Sequence, residues 1–177
     1  MRVVFVGAGN LSVRTARSLI AHGHEVVIVE ADPARIESLT DALDCGFLCG
    51  DGSRPAILRE ADPSATDVLL CLTGNDQTNI IASLVGRSLG FPRIVTRITD
   101  EEFEHICLEL GLEHAVIPDR TIGRYLAEVV EGHDILEISA AVREPARIFV
   151  FVARETEAGP ISGLGLPERS RVTHLYR

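Results

Sequence analysis

Residues 2 to 30 constrain the fold more than any other stretch of this chain. An apolar run, Arg2-Val-Val-Phe-Val6, leads into Gly7-Ala8-Gly9-Asn10-Leu11-Ser12. A helical pattern follows, and then a second apolar run, Glu25-Val-Val-Ile-Val-Glu30, that ends on an acid. Strand, glycine turn, helix, strand and acid, in that order, make up the unit that holds a dinucleotide at the end of a parallel sheet. Each part has a physical task. Gly7 permits the tight turn, and Gly9 lets the backbone approach a pyrophosphate. The helix start presents free N–H groups and the positive end of its dipole to that anion. Glu30 lies 23 positions after Gly7, where a carboxylate can accept hydrogen bonds from ribose hydroxyls. Its charge should also repel a 2′-phosphate. The third glycine position holds Ser12. Its hydroxymethyl group intrudes where helix and strand pack closely, so Ser12→Gly is expected to tighten ligand binding.

The pattern repeats downstream. Strands are expected at Val3–Val6, Val26–Val29, Phe47–Cys49, Val68–Leu72, Arg93–Ile98 and Ala115–Ile117. Helices are expected between them, at Asn10–His22, from Asp32 to about Leu43, and at Ser53–Ala61, Asn75–Leu89 and Asp100–Leu110. The strands are continuous apolar runs rather than alternating ones, which marks strands covered on both faces. The expected fold class is therefore α/β, a Rossmann-like doubly wound parallel sheet over residues 1–117, with ligands bound at the carboxyl ends of the strands. A linker helix is expected across 118–133. From 134 to 177 the reading is the start of a small α+β lobe, too short to close a core alone.

Composition narrows the function. The net charge of −9 is spread along the chain, which disfavours nucleic acid as a partner. All 17 basic side chains are arginine, so a P-loop lysine, a Schiff-base lysine and a Tyr-x-x-x-Lys reductase pair are excluded. Four cysteines, at 45, 49, 71 and 107, lack the paired spacing of a zinc site and read as buried reduced thiols. No apolar run reaches the roughly 18 residues of a membrane span. The chain enters a strand at once, so no signal peptide and a cytosolic location are expected.

Further polar groups fall at strand ends. Asp51, Gly52 and Ser53 follow the third strand, with Ser53 equally readable as a helix N-cap. Thr73 and Gly74 follow the fourth, with Asn79 one helical turn on. Arg97 ends the fifth, free to meet a phosphate or to pair with Asp100 or Glu101. No acid–base group is set against a nicotinamide, as a dehydrogenase requires. His105 and His114 read as structural. The chain is therefore expected not to be an enzyme. A small NAD-dependent oxidoreductase and a Rossmann scaffold that binds no nucleotide are the alternatives.

Taken in order, Gly7-Ala-Gly-Asn-Leu-Ser12, Gly23-His-Glu-Val-Val-Ile-Val-Glu30, Gly50-Asp-Gly-Ser53, Thr73-Gly-Asn-Asp-Gln-Thr-Asn79 and Val95-Thr-Arg97-Ile resemble the TrkA-N domain. That domain is also called RCK, for regulator of K⁺ conductance, or KTN. Gly111-Leu-Glu-His-Ala-Val-Ile-Pro118 resembles its last strand and the start of its crossover helix, and Asp134 onward the start of its C-terminal lobe. The resemblance implies a cytosolic regulatory subunit that gates an integral membrane potassium transporter or channel of Trk/Ktr type. It would sit peripherally on the cytosolic face of the membrane, as a homodimer assembled into a larger ring. A bound NAD(H) is implied, or an adenine nucleotide such as ATP, ADP or AMP. The implied contacts are Gly7, Ala8, Gly9, Asn10, Leu11, Glu30, Asp51, Gly52, Ser53, Thr73, Gly74 and Arg97, with Ser12 at the family's glycine position. ATP-responsive members usually carry arginine after the second glycine; Asn10 is closer to the NAD-type pattern.

Overall fold

A computed structural model of the chain describes residues 1–130, of which Met1–Ala127 form one compact unit. The second lobe read at 134–177 lies outside the described residues. Strands β1 (Arg2–Val6), β2 (Glu25–Glu30), β3 (Gly46–Cys49), β4 (Val68–Cys71), β5 (Ile94–Arg97) and β6 (Ala115–Val116) alternate with helices α1 (Asn10–Ala21), α2 (Pro33–Thr40), α3 (Pro55–Glu60), α4 (Asp76–Ser88), α5 (Glu102–Glu109) and α6 (Pro118–Val130). All six strands are parallel and lie in the order β3-β2-β1-β4-β5-β6. This is the doubly wound order, and its direction reverses between β1 and β4.

The two faces of the sheet are sorted by side-chain alternation. Val3, Phe5, Val26 and Ile28 pack on one side with Ala16 of α1 and Leu39 of α2. On the other side, Val4, Val6, Val27, Val29 and Leu69 pack with Leu58 of α3 and Ala82 of α4. A third cluster of Ile80, Ile98, Cys107, Leu112 and Ile117 seats α5 beside α4. Continuous apolar strands are thus buried on both faces, as their composition requires.

Helix ends follow local chemistry. Asp32 caps α2 through Ala34 N–H at 3.0 Å, ahead of Pro33 in the first turn. Asn75 caps α4 through Thr78 N–H at 2.8 Å. Gly23, Gly90 and Gly111 take positive φ just beyond α1, α4 and α5. Two expectations are corrected, and one element is added. Helix α2 stops at Thr40 rather than near Leu43. Helix α3 starts at Pro55 after Arg54, so Ser53 is not its N-cap; the Ser53 hydroxyl turns back to Asp51 Oδ1 at 2.7 Å. A short 3₁₀ turn, Pro63–Ala65, precedes β4, set up by Asp62 in the left-handed region.

Candidate functional site

The carboxyl ends of β1, β2 and β4, with the loop after β3, enclose a crevice of about 480 Å³. It lies at the point where strand order reverses, which is where open parallel sheets bind ligands. Its floor is the glycine loop. Gly7 takes φ +94° and donates its N–H to Val29 O at 2.8 Å, tying the end of β1 to β2. Gly9 is the N-cap of α1 and contributes no side-chain bond, so the first-turn N–H groups have no capping acceptor. A Cβ built on Gly9 would meet nothing within 4 Å. The protein's own packing therefore does not demand this glycine, and its open side is what a close-approaching anion needs.

Glu30 closes the β2 end. Its Oε2 accepts the Ala8 N–H at 2.7 Å, and its Oε1 accepts Ala31 N–H at 2.8 Å and Asp32 N–H at 3.0 Å. Arg35, one turn into α2, donates Nε to Ala8 O at 3.2 Å and lines the same end. Past β3, Asp51 accepts both the Ser53 N–H and hydroxyl at 2.9 and 2.7 Å. Those two donors hold its carboxyl below the ordinary carboxylate value. Gly52 lets this loop lie against Val6, where any Cβ would collide with the valine side chain.

The β4 side is organised by Asn79, which is fully buried in α4. Its Oδ1 accepts the Thr73 N–H at 2.8 Å and the Thr73 hydroxyl at 2.7 Å. Its Nδ2 donates to Thr73 O at 3.1 Å and Arg97 O at 3.0 Å. Arg97 Nη1 also donates to Thr73 O, at 3.1 Å. One turn earlier, the Asp76 carboxylate accepts Thr99 and Asp100 N–H at 2.9 and 3.0 Å, fixing the loop after β5.

The crevice brings together Gly7, Ala8, Gly9, Glu30, Asp51, Gly52, Thr73 and Gly74 of the residues singled out in sequence. Asn10, Leu11, Ser12, Ser53 and Arg97 lie outside its lining. Asn10 lines a second depression with Val13, Arg14 and Arg17 of α1, and Leu11 is exposed. Arg97 forms no ion pair with Asp100 or Glu101; its guanidinium is turned onto the β4 loop. Asn75, which follows Thr73 and Gly74 at the fourth strand end, lines the crevice too, as do Arg35 and Thr78, which are not among the sequence-predicted contacts. Arg35 reaches the crevice because α2 begins three residues after Glu30 and its first turn docks back against the glycine loop.

Ser12 is fully buried in α1, and its hydroxyl has no hydrogen-bond partner. An orphaned buried hydroxyl costs about 1–3 kcal/mol. Ser12→Ala is therefore expected to raise stability by about 1 kcal/mol in a denaturant titration. Ser12→Gly relieves the same defect but adds about 1 kcal/mol of helix cost relative to alanine. The thiols divide differently from expectation. Cys71 and Cys107 are buried, and burial pushes the Cys71 thiol up to about 12. Cys45 is half-buried, and Cys49 is exposed at the sheet edge. Among the described residues no cluster of side chains could hold a metal ion, and no helix is long and apolar enough to cross a membrane.

Residues 3–118 match the TrkA-N domain family. The chain is 31% identical over 157 residues to the Trk system potassium uptake protein TrkA homolog of Methanothermobacter thermautotrophicus, covering 89% of this chain and 73% of that protein. Other Trk uptake proteins it matches are longer, and the chain spans 36 to 42% of their length. Among solved structures, the GsuK channel bound to NAD superposes with a TM-score of 0.65 at 19% identity, over 71% of this chain and 23% of that one. The Kef C-terminal domain of Shewanella denitrificans in its AMP-bound form gives 0.64 at 20% identity, over 80% and 88%. At these identities the structural likeness concerns the fold.

Proposed function

The chain belongs to the TrkA-N domain family, and from that premise we propose that it is the nucleotide-sensing regulatory subunit of a potassium transporter or channel. The observation that carries this reading is the glycine loop. Gly7 closes the turn, Gly9 leaves open space above it, and Glu30 stands at the ribose end. NAD(H) is the ligand these residues support best, with ATP, ADP and AMP as the other nucleotides. The ligands held by the GsuK and Kef structures support the same class.

A sensing role suits the crevice better than a catalytic one. The carboxylates that line it, Glu30 and Asp51, are both committed to loop N–H and hydroxyl donors. Nothing else among its lining residues has the chemistry to protonate a substrate. Gating then follows from population shift. A ligand biases two conformations of the assembly only by its differential affinity for them. The partner is an integral membrane potassium-conducting subunit, and the regulator sits on its cytosolic face. Self-association as a homodimer within a larger ring is supported by apolar side chains left open on α6, where Ile122 and Leu126 are 54% and 55% exposed. The nucleotide domain is assigned to 1–117, the crossover helix to 118–133 and the second lobe to 134–177.

Thermal unfolding with each nucleotide tests the site. A ligand at 100-fold its Kd stabilises by about 2.7 kcal/mol, a rise of about 5 to 10 °C in Tm for a chain of this size. NAD(H) is expected to give a larger shift than NADP(H), because the Glu30 carboxylate repels a 2′-phosphate. No shift with any of these nucleotides overturns the reading. Potassium flux through the reconstituted membrane partner, with and without nucleotide, tests the gating.

A further inference from the structure

The ribose end of the crevice carries two charges of opposite sign, both built onto one residue of the glycine loop. Glu30 takes the Ala8 N–H at 2.7 Å, and Arg35 Nε donates to the Ala8 carbonyl at 3.2 Å. The acid comes from the end of β2 and the guanidinium from the first turns of α2, so both are held by ordered elements. They do not neutralise each other. Arg35 forms no ion pair among the described residues, and it is half-buried in the crevice wall. Among the described residues its two terminal amino groups make no hydrogen bond, while Nε is anchored. Glu30 is satisfied otherwise, by three backbone N–H groups of the glycine loop and the β2–α2 turn.

From this we infer that Arg35 is a ligand-binding residue that reads the 2′ position of the adenosine ribose, and that it gives a 2′-phosphate a partner in the crevice. The inference rests on the crevice being a nucleotide site. Two features support it. A guanidinium fixed through Nε keeps its outer edge free for the bidentate contact that phosphate oxygens favour. The three backbone N–H dipoles that point at the Glu30 carboxylate offset part of its field at the ribose position. Glu30 sets a preference for the unphosphorylated ribose, and Arg35 limits that preference. The chain is therefore expected to accept 2′-phosphorylated adenine nucleotides with a measurable, weaker affinity than NAD(H), rather than to exclude them.

Calorimetry on the full chain decides it, using NADH, NADPH, 5′-AMP and 2′,5′-ADP with wild type, Arg35→Ala and Arg35→Lys. Arg35→Ala is expected to weaken NADPH and 2′,5′-ADP at least ten-fold, while NADH and 5′-AMP change less than three-fold. Arg35→Lys, which keeps the charge, should recover part of the loss for the 2′-phosphorylated pair alone. Equal losses for all four ligands would make Arg35 a support for the glycine loop and overturn the inference, as would no loss for any. If wild type binds NADH but shows no NADPH or 2′,5′-ADP binding, the inference fails while the nucleotide site stands. If wild type binds none of the four, the site itself fails.

Discussion

Gly7→Ala is expected to cost about 3 kcal/mol of stability and to abolish nucleotide binding. Two independent effects converge on this residue. Its φ of +94° lies where an L side chain is strained, and the left-handed region alone costs about 1–2 kcal/mol. A Cβ there would also stand 2.9 Å from Thr73 Cγ2, 3.0 Å from Thr73 Cα and 3.2 Å from Thr73 N. Two of those neighbours are backbone atoms, so no rotamer change relieves the contact. Thr73 must move, and its loop is one wall of the crevice. Gly9→Ala is the matched control. At φ −69° with nothing within 4 Å of the added Cβ, folding should lose only the modest N-cap preference of glycine over alanine, about 1 kcal/mol or less. The new methyl group would occupy the space a pyrophosphate needs, so binding should fall at least ten-fold. Denaturant titration and calorimetry on both variants separate the two glycines. A Gly9→Ala protein that binds nucleotide normally would remove the glycine loop from the site.

The contrast shows what can be read from sequence and what cannot. The order of elements was legible because it rests on local signals. Val3–Val6 and Val26–Val29 are unbroken apolar runs, Gly23 and Gly90 end helices, and Asp32-Pro33 starts one. The parallel sheet and the position of the crevice follow from those signals through topology rules that hold across folds. Directions of individual side chains were not legible. Arg97 falls at a strand end, as a phosphate ligand would, yet it turns onto the Thr73 carbonyl. Ser53 looks like an N-cap by spacing, but Pro55 displaces the helix start and Asp51 captures its hydroxyl. The place of Arg35 is not legible in sequence because it depends on how α2 docks against the glycine loop, a tertiary fact with no short-range motif. Burial of the Ser12 hydroxyl without a partner is likewise a packing outcome.

Asn79 carries the largest effect on the opposite wall. In the sequence it is one polar residue in a helix; in the fold it is a fully buried junction with four hydrogen bonds. It joins the ends of β4 and β5 to each other just beyond their last paired residues, Cys71 and Thr96. Thr73 O retains a second donor in Arg97 Nη1, but the Thr73 N–H depends on Asn79 Oδ1. Asn79→Ala would therefore strand that N–H and the Arg97 carbonyl in a partly buried place. Each orphaned buried group costs about 1–3 kcal/mol, so a loss of about 3 kcal/mol is expected, on the order of 10 °C in Tm. Asn79→Asp keeps the shape and the Oδ1 acceptor, but it removes both donors and buries a charge. It should be no less damaging, and its deficit should shrink as the pH falls and the carboxyl takes up a proton. This dependence follows from the sign of the linkage. A carboxyl whose charged form is disfavoured in the fold has a raised folded-state pKa, so its penalty is full above that value, fades as the pH falls toward the unfolded value and is gone below it. Thermal melts of both variants across pH 4 to 8 would show it. If Asn79→Ala melts within 2 °C of wild type, the β4 and β5 ends are held by something other than this amide, and Thr73 is free to move without it.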